Sequence, residues 1–91
     1  MRSVHLRISG RVQGVGYRAW AIETARPLGL RGWVRNRPDG SVEVLVIGED
    51  DPVAAMIEAC RDGPFAARVT AVTVEEAVDD GSDGFKPRPT G

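Results

Sequence analysis

Residues 30–47 read LRGWVRNRPDGSVEVLVI, and this stretch decides the fold. Leu30 to Asn36 and Ser41 to Ile47 are two runs of strand-forming residues, separated by Arg37-Pro38-Asp39-Gly40. The proline presets the φ a tight turn needs, the aspartate can bond its own backbone further on, and the glycine accepts a positive φ. Two such runs joined this way form an antiparallel hairpin. Toward the N-terminus, Tyr17, Ala21, Ala25 and Leu28 repeat on one helical face. Pro27 makes the last turn of that helix irregular, and Gly29 ends it. Before it, Gly10 to Gly16 is a glycine-rich loop. Ser3 to Ser9 alternates Val4, Leu6 and Ile8 against His5, Arg7 and Ser9, the pattern of a half-buried strand.

Toward the C-terminus, Asp50 or Asp51 can cap a second helix whose first turn holds Pro52 and whose apolar stripe is Val53, Met56, Ile57 and Cys60. Gly63-Pro64 stops it. Val69 to Ala77 is a fourth strand, and Val69, Val72 and Val74 break strict alternation, which leaves room for a bulge. Asp79 to Asp83 is a polar turn, and Gly84 to Arg88 can add a short fifth strand at a sheet edge, where Pro87 is tolerated. The order β-α-β-β-α-β is the ferredoxin-like split βαβ. The expected fold is an α/β chain in the form of an α+β sandwich. It has an antiparallel sheet, two helices on one face and the other face open, all in one domain over 1–91.

Composition narrows the function classes. The 91 residues are 42% hydrophobic and 27% charged, which is globular and not disordered. No apolar run reaches the ~18–20 residues of a membrane span, and the N-terminus lacks the apolar core of a signal peptide. A single cysteine excludes an internal disulfide, and with only one histidine beside it no zinc site is expected. The chain is expected to be cytoplasmic and, being small and without an obvious apolar interface, monomeric, and its composition calls for no cofactor. Its net charge of −1 conceals an asymmetry: residues 1–37 carry +7 and residues 38–91 carry −8. A basic half within a near-neutral protein points to a local anion-binding surface.

The loop GRVQGVGYR at 10–18 is where that surface gains chemistry. Glycines let successive backbone N–H groups turn inward as a concave nest. The helix that follows adds its own unpaired N–H groups and the positive end of its dipole. Arg18 then stands in the first helical turn, where a cation costs roughly 0.3–1 kcal/mol unless an anion is bound. The loop alone leaves two readings open: a phosphate gripped by Arg18 and the nest, or a tight turn beside a solvated arginine. Gly14-Val15-Gly16-Tyr17-Arg18-Ala19 also fits the dinucleotide fingerprint, but that fold needs parallel βαβ units and the next strands here form a hairpin. No Gly-Lys-Ser/Thr follows, so a Walker A loop is excluded as well. Asn36, just before the turn, can orient a water with its donor and acceptor, or can simply bond its own backbone.

Taken together, GRVQGVGYR at 10–18 and GWVRNRPDGSVEV at 32–44 resemble the two signatures of the acylphosphatases. The resemblance runs on through Leu28-Gly29-Leu30 and Gly63-Pro64 to about Phe85. It implies a ferredoxin-like hydrolase, acting on an acid anhydride, that splits the carboxyl–phosphate bond of acyl phosphates without a metal. By position, Arg18 would hold the phosphoryl group together with the loop amides of Gln13, Gly14, Val15, Gly16 and Tyr17, and Asn36 would orient the attacking water. Acetyl, carbamoyl and glycolytic acyl phosphates are the substrates the family suggests. The chain departs from the family pattern at Pro27 and Pro87, both remote from these residues. His5 and Cys60 read as structural.

Two other functions can be stated from the residues. RNA-recognition modules share the layout, and Arg31, Trp33 and Arg35 alternate onto one strand face as a possible stacking platform. Few aromatics follow and the second half is acidic, so no nucleic-acid partner is expected. A non-catalytic anion-binding module, of the sort found at the start of larger carbamoyl-transfer proteins, is the remaining alternative.

Overall fold

A computed structural model describes residues 1–91. The elements follow one another as β1 (Arg2–Arg11), α1 (Tyr17–Ala25), β2 (Arg31–Asn36), β3 (Val42–Gly48), α2 (Asp50–Asp62), β4 (Arg68–Glu76) and β5 (Phe85–Pro87). The sheet order is β4-β1-β3-β2-β5. The expected hairpin pairs Arg31 with Ile47 and Asn36 with Val42, so Asn36 ends its strand at the mouth of the turn.

Period-two alternation sorts the strands into two faces. Val4, Leu6 and Ile8 of β1 join Val34 of β2 and Val42, Val44 and Val46 of β3 in one core with Tyr17, Ala21 and Ala25 of α1 and the stripe of α2. Both helices therefore cover this face. Cys60 is wholly buried within the core, and that burial pushes its thiol up to about 11. The bulge lies between β1 and β4: Ser9 pairs with Ala71 and Gly10 with Val69, leaving Thr70 as the extra residue.

Three expectations are corrected. The sheet is mixed, since β5 runs parallel to β2. After β4 on one edge the chain must travel to the opposite edge, and it arrives there pointing along β2. Pro87 pairs with Val34 on this edge, where its missing N–H costs nothing to an inner strand. Nor is the second face fully open. Trp33, Leu45 and Ile47 form a small cluster there, Ala77 packs on it, and the following segment straps across. Arg31 binds Asp79 and the Ser82 carbonyl, and the indole of Trp33 donates to Asp80 at 3.2 Å. The residues of the would-be RNA platform are thus taken: the guanidiniums of Arg35 and Arg88 both stand over the Trp33 ring, which keeps only 8% of its surface. Finally, neither Asp50 nor Asp51 caps α2. Glu49 holds the cap position without a side-chain bond, and both aspartates lie in the first turn, where their charge complements the helix dipole.

Candidate active site

The glycine loop hangs between two buried anchors. Val12 is buried at the end of β1, and Tyr17 is buried at the start of α1, its hydroxyl donating to the Cys60 carbonyl at 2.7 Å. Burial, and then the Cys60 contact, drive the Tyr17 hydroxyl far above the ordinary phenol range, so it stays protonated and keeps donating. Between the anchors, Gly14 at φ 73° and Gly16 at φ 81° take the left-handed conformation that a side chain disfavours. Gly16 is also the N-cap of α1 and offers no capping side chain.

The consequence is a run of unused donors. Trp20 is the first amide of the helix to find a carbonyl, that of Gly16 at 3.0 Å. None of the amides from Gln13 to Ala19 donates to a backbone or side-chain acceptor. A series of N–H groups at a helix N-terminus, with no acidic residue in the first turn, carries a positive potential that favours an anion. Arg18 projects from that same turn, exposed and without an ion pair or hydrogen bond, so no protein carboxylate competes for its guanidinium.

The second motif is fastened to the first by a contact the sequence reading missed. Gln13 was expected to contribute its amide, but its side-chain Nε2 donates to the carbonyls of Arg37 at 2.8 Å and Ser41 at 2.9 Å. Both hydrogens of one amide therefore bridge the glycine loop to the β2–β3 turn. The chain's only glutamine, placed in its most glycine-rich loop, is the sequence signal that could have pointed here. Within the turn, Asp39 accepts from the Ser41 amide at 2.9 Å and hydroxyl at 2.6 Å, and Arg7 approaches it at 3.2 Å. The Ser41 bonds hold the Asp39 carboxyl below its usual range.

Asn36 sits one residue before this stitch. Its carbonyl accepts from Gly91 at 3.2 Å, but its side-chain amide engages no protein group, so the self-bonding role open on sequence grounds is not adopted. Its neighbours are held from the opposite face by Glu43, which takes Arg35 Nε at 2.6 Å, stands 3.8 Å from Arg37 and also pairs with His5. Burial alone would raise the Glu43 carboxyl, but the Arg35 and His5 bonds overcome it and hold it low. Arg37 Nε is the one buried side-chain donor left without a partner, which adds positive potential beside Asn36. No three His, Cys, Asp or Glu side chains converge to hold a metal ion.

Known proteins resemble this chain in sequence and in fold. Residues 4–87 match the acylphosphatase family model. The chain is 50% identical over 90 residues to an acylphosphatase of Rhodospirillum rubrum, covering 99% of both chains. It is 62% identical over 73 residues to one of Rhodopseudomonas palustris, covering 80% of this chain and 74% of the relative. Among solved structures, the crystal structure of acylphosphatase from Bacillus subtilis superposes with a TM-score of 0.93 at 35% identity, over 97% of this chain and 99% of that one. Sequence, family pattern and backbone agree, and the chain belongs to the acylphosphatase family.

Proposed function

We propose that this hydrolase cleaves acyl phosphates with Arg18 and the amides of Gln13, Gly14, Val15, Gly16 and Tyr17 holding the phosphoryl group and Asn36 orienting the water. The observation that carries the reading is the unbroken run of unpaired amides around two left-handed glycines, with an unpaired guanidinium at its end. Phosphoryl transfer asks for alignment and charge neutralisation more than for covalent help. Amides and a guanidinium fixed before the reaction supply both without reorganising during it.

The reaction balances without a titrating side chain. The water oxygen bonds to phosphorus as the bond from phosphorus to the carboxyl oxygen breaks, and the electron pair leaves with the carboxylate. That leaving group is the anion of an acid with pKa near ~4, so it departs unprotonated at neutral pH. One proton of the water passes to a non-bridging oxygen of the phosphate. Asn36 fits the remaining task because it can accept from the water and donate elsewhere, and its amide is uncommitted.

Acetyl phosphate should be hydrolysed in excess chelator while an aryl phosphate monoester is not, since only the first has a leaving group needing no protonation. Equal turnover of the two, or rates that collapse on chelation, would refute the mechanism. In the same assay Asn36→Ala should retain affinity for inorganic phosphate and lose about 10²-fold in kcat, the scale of losing one positioning hydrogen bond. An unchanged kcat would show the water to be held elsewhere.

A further inference from the structure

Beside the glycine loop lies a hollow of about 660 Å³, bounded by Gly14 and Val15 on one side and by Phe65, Ala67, Arg68 and Arg11 on the other. Three features set it apart. Arg11 and Arg68 are cross-strand partners at the end of β1 and β4, so two like charges face each other, an arrangement that is destabilising by itself. Neither has an acidic or carbonyl partner, whereas every other arginine except Arg18 does. Phe65, in the connection from α2 to β4, is fully solvent-exposed at 107% while Ala67 beside it packs on the core.

The hollow shares Gly14 and Val15 with the amide nest, so it adjoins the place where the proposed site holds a phosphoryl group. The walls are apolar near the loop and cationic at the strand ends. From this we infer that the hollow is the acyl-group subsite and that it favours acyl chains ending in a second anionic group, such as a dicarboxylic acid phosphorylated at one end. The apolar stretch meets Val15, Ala67 and Phe65, and the terminal carboxylate relieves the repulsion between Arg11 and Arg68. Both residues act on specificity, through the ground-state complex, and neither touches the reacting atoms.

The inference rests on the proposed phosphoryl site, and the test separates the two. Binding of 6-phosphonohexanoate and of hexylphosphonate is measured by calorimetry at low and high salt, with acetyl phosphate turnover measured alongside. These ligands share a chain and a phosphonate and differ only at the far end. The carboxylate-ended ligand should bind about three- to tenfold more tightly at low salt, as two solvent-exposed charge contacts allow, and the difference should shrink as salt screens them. Arg11→Gln combined with Arg68→Gln should abolish the difference, leave acetyl phosphate turnover unchanged and melt no lower than the parent. Equal affinities in the parent protein, or a difference that survives the double substitution, would overturn the subsite. Failure of both ligands to bind, with no acetyl phosphate turnover, would overturn the phosphoryl site and the subsite with it.

Discussion

Arg18→Ala should bind inorganic phosphate roughly 10- to 100-fold more weakly, because a hydrogen bond to a charged group contributes about 1.5–3 kcal/mol. Its kcat/KM for acetyl phosphate should fall further, by about 10²–10³, since charge stabilisation grows as the transition state forms. Stability should move the other way. The guanidinium stands at the positive end of α1 with no acidic residue in the first turn and no ion pair to hold it. Removing it relieves roughly 0.3–1 kcal/mol of unfavourable charge–dipole energy, so the ligand-free variant should melt slightly higher. Calorimetric phosphate titration, steady-state kinetics and thermal denaturation read the three effects separately. Undiminished phosphate affinity would remove Arg18 from the site, and a marked loss of stability would show that it serves the fold.

Gly32→Ala should abolish folding or cost more than about 4 kcal/mol, a loss reserved for severe steric conflict. Gly32 lies inside β2 at φ +136°, and a Cβ built there would stand 1.9 Å from the Leu45 carbonyl oxygen and 2.8 Å from its carbon. Both atoms are backbone of the neighbouring strand, so no side-chain rotation clears them. Relief would require β2 and β3 to part, at the hairpin that carries Asn36 to its place. The ring of Phe85 on β5 would stand 3.4 Å from the same Cβ. Far-ultraviolet circular dichroism and a denaturant titration would measure this, and a midpoint equal to that of the parent would contradict the packing described for the sheet.

The parts of the fold legible in sequence were those set by local rules. Turn chemistry at Arg37 to Gly40 announced the hairpin, period two marked β1, and the stripe Val53, Met56, Ile57 and Cys60 placed the buried face of α2. α1 stops at Ala25, short of the end expected at Gly29, because the chain must turn before the Pro27 ring; Leu28, expected on the helical face, and Gly29 bond back in tight turns beyond it. What stayed hidden depended on distant partners. The strap from Ala77 to Ser82 is a string of small and acidic residues that means little until Arg31 and Trp33 are seen beneath it. The direction of β5 follows from where the chain has to arrive, which no propensity records. At the site, residue types and order were readable, but the two hydrogen bonds donated by the Gln13 side chain and the uncommitted amide of Asn36 are matters of position.

That Gln13 bridge divides labour between accuracy and charge. The groups that would meet substrate are Arg18, Asn36 and main-chain amides, while the side chain that registers one motif against the other is spent on the Arg37 and Ser41 carbonyls. Alignment tolerance and electrostatic strength are accordingly set by different side chains, so either can drift through mutation while the other is kept.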